Sequence, residues 1–376
     1  MLNGGIHLSM LIGPVVPRPA PQELIDALDT VQVNTSAQVS GFQLSFKIGK
    51  RSTLLTNMLP AGSFDPIVTR IILIVVVNGQ SNVIMDGVVT RQELTASNEV
   101  GKSMLTLTGE DLSRMMDLVE MPFMRYPALP VIARVYLALA KYAALGIAPL
   151  AVPPILSDIP NPLESTPTHT GTDLAYIRQL AEQCGYVFYV EPGPVAGSNI
   201  AYFGPDIRIP DPQPALTVNS DAATNVESLN FSLDGTLKKV TVVTVFDPVT
   251  HKIPLPLPVP DVSLLRPPMG ARPTPPAKLE FFEGAASLSL ADAANRALGI
   301  LWKSNDAITA NGSLDVLRYG RILRARMMVG VRGAGIAYDG LYYVNSVTHS
   351  LKRGEYKQNF SLSRDGLIAN VSGVSP

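Results

Sequence analysis

Four histidines, His7, His169, His251 and His349, are the first residues to weigh, because imidazole can ligate a metal or move a proton near neutral pH. No two lie at a metal-ligand spacing. His169 and Asp173 stand at i, i+4, where side chains on one helix face can meet, but a zinc site takes at least three protein ligands. No metal is expected there. His349 falls at the end of a strand beside a turn and is read as a surface or hydrogen-bonded histidine. The carboxylates Glu110 and Asp111, and Asp206 with Asp211, flank a turn or helix start, where capping is the default role. Gly330-Val331-Arg332-Gly333-Ala334-Gly335 has the wrong order for a dinucleotide fingerprint and reads as a turn between strands. Walker loops, nucleophile elbows, paired cysteines and zincin helices are missing from the sequence. Tyr186, Tyr189, Tyr342 and Tyr343 fall at strand spacing, which favours core packing over a sugar or base platform. Cys184, the single cysteine, lies on an apolar stripe and reads as a buried structural thiol. No catalytic residue, metal or cofactor is expected, and the chain reads as a non-enzyme.

Composition narrows the partners. Net charge is −1 and charged residues make up 16% of the 376, so no basic field exists to hold nucleic acid or an anionic membrane. The 46% hydrophobic content points instead to surface covered by other subunits. The opening residues lack a basic stretch, and Pro14, Pro17, Pro19 and Pro21 interrupt their apolar run, so no secretory signal is expected. Ile71 to Val77 is too short to span a bilayer. The chain is expected to be made in the cytoplasm.

The elements that would position these residues centre on Thr172 to Val190. Thr170 or Thr172 can cap a helix whose stripe is Leu174, Ile177, Ala181 and Cys184; Gly185 ends it and an aromatic, β-branched strand follows. Glu191-Pro192-Gly193-Pro194 leads toward Ile200 to Phe203 as a hairpin partner. Before this unit, residues 1–29 read as a proline-rich arm ending in a short helix from Glu23 to Leu28. Residues 30–111 alternate with period two, turn at Asn78-Gly79, and read as a first antiparallel β-barrel. Residues 112–212 hold helical segments, Leu112 to Val119 and Arg134 to Leu145, and the central unit. Residues 213–366 read as a second β section. Val226 to Leu233 and Leu237 to Phe246 are expected as a strand pair about Asp234-Gly235. A proline-rich loop occupies 247–280, with Ile253 to Pro260 extended by alternate prolines. Ser289 starts a helix with stripe Leu290, Ala294, Leu298, Leu301 and Trp302, before strands Arg321 to Val331, Gly340 to His349 and Glu355 to Arg364. Residues 367–376 form a tail. The stretches Asp86 to Thr90 and Met104 to Asp111 are echoed by Val344 to Thr348 and Phe360 to Gly366, a degenerate match that duplication or shared strand grammar would equally give.

Two motifs carry a family resemblance. Thr172-Asp173-Leu174-Ala175-Tyr176-Ile177-Arg178-Gln179-Leu180-Ala181-Glu182-Gln183-Cys184-Gly185-Tyr186-Val187-Phe188-Tyr189 is one. Tyr342 to Leu351, Gly354-Glu355-Tyr356 and Phe360 to Arg364 form the other. Together they resemble the phage late control protein D family, the baseplate hubs of contractile phage tails and the hub portion of type VI secretion spike proteins. The resemblance spans Thr30 to Gly366. The opening Leu11-Ile12-Gly13-Pro14 resembles hubs of extracellular or cell-anchored contractile injection systems.

The resemblance implies a mainly β fold with α+β elements: two related β-barrel hub domains separated by an αβ insert, trimeric with pseudo-sixfold symmetry. It makes duplication the favoured reading of the echo. It implies a structural baseplate hub that adapts a threefold spike to a sixfold inner tube and lines the start of a delivery channel. Implied partners are two further copies, a spike protein, inner-tube or tube-initiator proteins and other baseplate wedge proteins. Only Asp365 to Pro376 follow the motif, so the spike is expected as a separate chain, and no lysozyme domain is expected. Pro14 and Pro17, with Pro254, Pro256 and Pro258, are candidate partner contacts. The rival reading is a β-rich carbohydrate-binding or glycan-degrading protein, which would need clustered exposed aromatics or a carboxylate pair across a cleft.

Overall fold

A computed structural model describes residues 5–37, 39–49, 51–99, 102–121, 124–154, 166–208, 211–237, 239–246, 254–258, 267–275, 277–282 and 306–370. Period-two alternation lays out the first β section. It comprises β1 (Ile6–Gly13), β2 (Arg18–Pro19), helix α1 (Gln22–Ala27), β3 (Leu28–Thr35), β4 (Ser40–Ile48), β5 (Arg70–Val77), β6 (Gln80–Thr95) and β7 (Ser103–Asp111). In β4, Phe42, Leu44, Phe46 and Ile48 are buried while Gln43 and Lys47 are exposed, the pattern a half-buried strand requires. Asn78 and Gly79 both take positive φ, 49° and 79°, and so close the β5–β6 hairpin with the right-handed twist of its strands.

The middle section runs through a 3-10 turn (Leu112–Asp117), β8 (Met124–Arg125), α2 (Val131–Ala140), β9 (Ile147–Ala151), β10 (Thr168–His169), α3 (Asp173–Cys184), β11 (Val187–Pro192) and β12 (Asn199–Gly204). The expected helix from Arg134 to Leu145 is shorter and begins earlier; after Ala140 it tightens into a 3-10 turn, Ala143–Leu145. For α3 the sequence signals hold: Thr172 Oγ1 accepts from the Ala175 N–H at 3.2 Å, and Gly185 takes φ 68°. Strand β12 pairs antiparallel with β11 and parallel with β9, and Leu112, Met116, Val135, Leu139, Ile177, Phe188 and Phe203 share a separate core beneath them.

The last section holds β13 (Gln213–Thr217), β14 (Ser228–Leu233), β15 (Lys239–Phe246), β16 (Pro254–Pro258), β17 (Gly270–Pro273), β18 (Lys278–Phe282), β19 (Ile308–Asp315), a single-turn helix (Val316–Tyr319), β20 (Met328–Arg332), β21 (Gly340–Lys352), β22 (Glu355–Arg364) and β23 (Gly366–Ala369). Three expectations change here. Strands β14 and β15 do not pair with each other: β14 pairs with β19, and β15 pairs with β16 and β18. The alternate prolines of β16 lie in a strand, with Leu255 and Leu257 supplying the amides that proline lacks. The strand expected from Arg321 begins only at Met328. The helix expected from Ser289 to Trp302 lies outside the described residues.

Most strands join one sheet in the order β14-β19-β22-β21-β3-β4-β7-β6-β5-β1-β2, with β20 also on β21 and β13 on β20; every pairing in it is antiparallel except β13 with β20. The expected pair of closed barrels is therefore corrected: among the described residues no barrel closes, and the two β sections are halves of a single sheet. They meet where β21 pairs with β3, from Val347 opposite Thr35 to Lys352 opposite Thr30. One hydrophobic core crosses that seam, with Val31, Leu44, Phe46, Leu73 and Leu107 from one half and Ile308, Tyr342, Val347, Phe360 and Leu362 from the other. The segment read as an arm also differs, because β1 pairs along its whole length with β5 and Pro14 to Pro17 loop out between β1 and β2.

Within the sheet each half repeats one topology. In chain order, β3, β4, β5, β6 and β7 lie in the spatial order first-second-fifth-fourth-third, and so do β14, β19, β20, β21 and β22. The fourth and fifth strands of each half also carry a matching bulge: Thr90 is the extra residue between Val89 and Arg91, and Asn345 is the extra residue between Val344 and Ser346. The two halves thus repeat one another in backbone path. The sequence echo found the right strands in a shifted register, since it matched Thr90 to Thr348 rather than to Asn345.

Close approach across the fifth strand fixes one glycine. A Cβ on Gly109 would lie 2.2 Å from the Phe42 ring and 2.4 Å from the Val88 carbonyl, whereas one on Gly49 would meet nothing within 4 Å. Gly109→Ala is expected to lower stability by about 1–3 kcal/mol in denaturant unfolding, and Gly49→Ala to leave it within about 0.5 kcal/mol.

Candidate functional site

The residues with chemical potential are held in structural roles. His169 is fully buried; its ring stacks on Tyr176 at 4.2 Å, its Nδ1 lies 3.2 Å from the Tyr126 hydroxyl, and its Nε2 lies 3.5 Å from Asp173 Oδ1. Asp173 also accepts from Lys141 Nζ at 2.9 Å and from the Tyr142 hydroxyl at 2.7 Å, so the cluster braces the start of α3 against the end of α2. Burial lowers the His169 pKa, and Asp173 opposes that shift. Asp111 accepts from the Ser40 and Ser113 amides at 2.7 and 2.9 Å, a cap as expected, though a buried one. Asp206 accepts from Tyr343 and Arg208. Gly333 and Gly335 take positive φ in the turn after β20, and Cys184 is buried. His7 is exposed on β1, and His251 lies outside the described residues. Among the described residues no group of three or more His, Cys, Asp or Glu is placed to hold a metal, and no helix is long and apolar enough to cross a membrane.

His349, read from sequence as a strand-end histidine, sits inside the seam opposite Val33. It is buried, with Nδ1 2.7 Å from the Tyr356 hydroxyl and 3.4 Å from Gln358 Nε2. Gln358 in turn accepts from the Leu323 N–H at 3.0 Å and donates to its carbonyl at 2.8 Å. Burial, with Arg324 adding a smaller repulsion, pushes the His349 pKa down to about 4. Its neutral form therefore belongs to the folded state.

Three arginines, which periodicity could not assign, fasten the middle section to the sheet. Arg70 of β5 grips Asp86 of β6 through Nε and Nη2, both at 2.7 Å, with the two side chains almost wholly buried. The same guanidinium donates to the carbonyls of Val15 at 3.0 Å and Gly197 at 3.3 Å, and Asn199 donates to Asp86 at 2.8 Å. One ion pair thus joins the proline loop, the first hairpin and the β11–β12 tip. Arg326 lies over the Tyr189 ring at 4.1 Å, pairs with Glu191 at 3.3 Å and donates to the Ser36 carbonyl. Arg208 lies over Tyr343 at 4.2 Å and pairs with Asp306 at 2.7 Å. Tyr189 and Tyr343 are therefore stacking partners for arginine as well as packing residues.

What remains for function is surface and sheet edge. Pro14 is exposed and Pro17 half-buried, flanking Val15 and Val16, which are 52% and 78% exposed. Pro254, Pro256 and Pro258 stand at the β16 positions opposite Phe246, Thr244 and Val242. The strand edges that stay open among the described residues include two on the large sheet. β14 ends the sheet, and β6 runs on past β5 from Arg91 to Thr95, every residue exposed. The reading of the sequence overlooked both edges. Their signal was the alternation of Leu229, Phe231 and Leu233 and the run of β6 beyond its partner.

No family model and no curated protein matches the chain in sequence. Solved structures match it in fold. A tail protein from Neisseria meningitidis superposes with a TM-score of 0.62 at 14% identity, over 97% of this chain and 98% of that one. The 43 kDa tail protein of prophage MuSo2 from Shewanella oneidensis gives 0.60 at 11%, over 96% and 100%. An E. coli component of the type VI secretion system, described as similar to the T4 bacteriophage tail proteins gp27 and gp5, gives 0.51 at 12%, over 93% and 76%. The chain has the fold of these tail and secretion-system proteins, the group to which the sequence resemblance pointed.

Two changes probe the joints. Arg70→Met would leave Asp86 buried without its cation and is expected to cost about 3–5 kcal/mol in denaturant unfolding, with proteolysis appearing first near Val15 and Gly197. For His349, the depressed folded pKa means that stability is complete above the unfolded value near 6.5 and is lost as pH falls toward 4, by at most about 3 kcal/mol. His349→Gln should flatten that part of the stability–pH curve.

Proposed function

We propose that this chain is the baseplate hub of a contractile injection system or contractile phage tail. Three copies form a ring that seats a threefold spike on one side, starts the sixfold inner tube on the other, and lines the first part of the delivery channel. The observation that carries this reading is the repeated strand order with its matching bulges, found within the fold of tail proteins. A chain built from two like halves, taken three times, offers six like positions to a sixfold tube while keeping three equivalent places for a spike. A single-module chain could not serve both symmetries at once.

In this reading 30–111 and 213–366 are the two hub modules and 112–212 is the unit inserted between them. The proline loop with Pro14 and Pro17, and the excursion with Pro254, Pro256 and Pro258, are contacts for neighbouring baseplate proteins. The work is structural: the buried histidines and carboxylates brace the fold, and the chain acts by presenting surfaces. It functions within an assembled tail-like particle.

Native mass spectrometry of the purified chain, alone and mixed with candidate spike and tube proteins from the same genome, tests the proposal. A trimer that takes up spike and tube subunits is expected. A chain that stays monomeric at high concentration and with those partners would sink the hub reading.

A further inference from the structure

The open edges of β14 and β6 belong together. At the seam inside the molecule, β21 uses one edge for two partners: Gly340 to Tyr343 pair with β20, and Val347 to Lys352 pair with β3. By strand order and bulge, β6 is the counterpart of β21, β5 of β20, and β14 of β3. Along β6 the first stretch, Gln80 to Val88, does pair with β5, but the stretch beyond the bulge, held by β7 on its inner side, has no strand on its outer side among the described residues. The first half therefore carries the donor edge of a second seam, and β14 at the far end of the sheet is the acceptor edge it lacks.

We propose that copies of this chain join by antiparallel pairing of Arg91–Thr95 of β6 in one copy with β14 of the next, in the register that repeats the β21–β3 seam. The inference rests on the trimeric reading above and names the surfaces that close the ring. The bulges equate Asn345 with Thr90, so Val347 and His349 correspond to Gln92 and Leu94. Carrying the pairing through β4, β7, β19 and β22 equates Val31 with Leu229, Val33 with Phe231 and Thr35 with Leu233. The new seam then sets Gln92 opposite Leu233, Leu94 opposite Phe231 and Ala96 opposite Leu229.

That register matches the chemistry of both edges. Gln92 and Leu94 stand opposite the buried Leu107 and Leu105 of β7, so they lie on the core face of β6. Leu229 and Phe231 pack against the core from β14. Leu94 and Leu233, 48% and 42% exposed in the single chain, would be covered across the seam. On the opposite face Arg91 would meet Asp234, Glu93 would meet Ser232 and Thr95 would meet Asn230, with no like charges apposed. Hydrogen-bond parity agrees as well. Asp234 donates inward to Ala307, the residue just before β19, so the odd residues of β14 turn their amides outward. Val89 both donates to Thr69 and accepts from Ile67 on the outer side, and after the bulge residue the even positions of β6 turn outward. Leu94 and Phe231 would thus exchange backbone hydrogen bonds. Neither open stretch holds a proline or lysine, the residues that commonly guard a free edge. Each copy offers one edge of each kind, so the contact is head-to-tail, and the arc β14-β19-β22-β21-β3-β4-β7-β6 closes into a ring when three copies meet.

Cysteine pairing in the full-length chain tests the register. Glu93→Cys with Ser232→Cys places two thiols at a non-hydrogen-bonded pair on the outer face, where cross-strand side chains come closest. In one copy six strands separate these positions, so a disulfide can form only between copies. Mild oxidation should convert the trimer to covalent dimers and trimers that reductant dissolves, at least tenfold more than in the slipped pair Glu93→Cys with Ser228→Cys. Leu94→Arg, exposed in the single chain, should shift trimer dissociation to at least tenfold higher protein concentration with the far-ultraviolet spectrum unchanged. A native trimer that does not cross-link in the matched pair, that cross-links equally in the slipped pair, or that Leu94→Arg leaves intact would overturn this seam while sparing the trimeric reading. A chain that is monomeric throughout would overturn both.

Discussion

The backbone pairing of β3 with β21 is the constraint on which the rest of this structure depends. It joins residues near the two ends of the chain, Thr30 to Thr35 with Val347 to Lys352, and makes one sheet out of two repeated halves. The pairing lays Val31, Val33, Val347 and Leu351 side by side on the core face, each buried to within 2%. Fully burying side chains of this kind contributes about 1.5–3 kcal/mol each. The loop closed by such a contact spans most of the sequence, so its chain-entropy cost falls early in folding and its stabilisation comes late. Neither half has a complete core until the seam forms.

Two consequences follow for the inserted unit. It has its own core, so it does not rely on the seam for burial, yet it must keep a fixed position against both halves. The arginines supply that position. Arg70 ties the β11–β12 tip to the first half, while Arg326 and Arg208 tie the middle section to residues of the second. Ion pairs that are buried and geometrically tight add little net stability, but their loss is costly, and they reject alternative placements in which a charge would stay unpaired.

The sequence carried the local structure well and the long-range pairing poorly. Thr172, Asp173 and Gly185 marked the ends of α3 because caps act within a few residues, and Asn78-Gly79 marked its hairpin for the same reason. Alternation identified β4, β7 and β22 and the buried face of Tyr356, Gln358, Phe360 and Leu362. Alternation cannot say which strand lies beside which. Two closed barrels were expected where a shared sheet exists, and β14 was joined to β15 because they are neighbours in sequence. The bulges at Thr90 and Asn345 left no mark in residue type, which is why the internal match slipped. The chemistry-bearing residues stand at no ligand spacing in the sequence, so they offered no site to locate. The arginine joints were not legible, because guanidinium partners such as Val15 and Gly197 contribute only carbonyl oxygens, and every residue has one.

An electron-microscopy reconstruction of the assembled hub with its tube and spike measures the central claim most directly. Duplication within a trimeric ring predicts threefold symmetry, with density for the two halves alternating around the axis at equal radius so that the tube meets six like surfaces. Halves at different radii, or a ring in which only one half touches the tube, would contradict it.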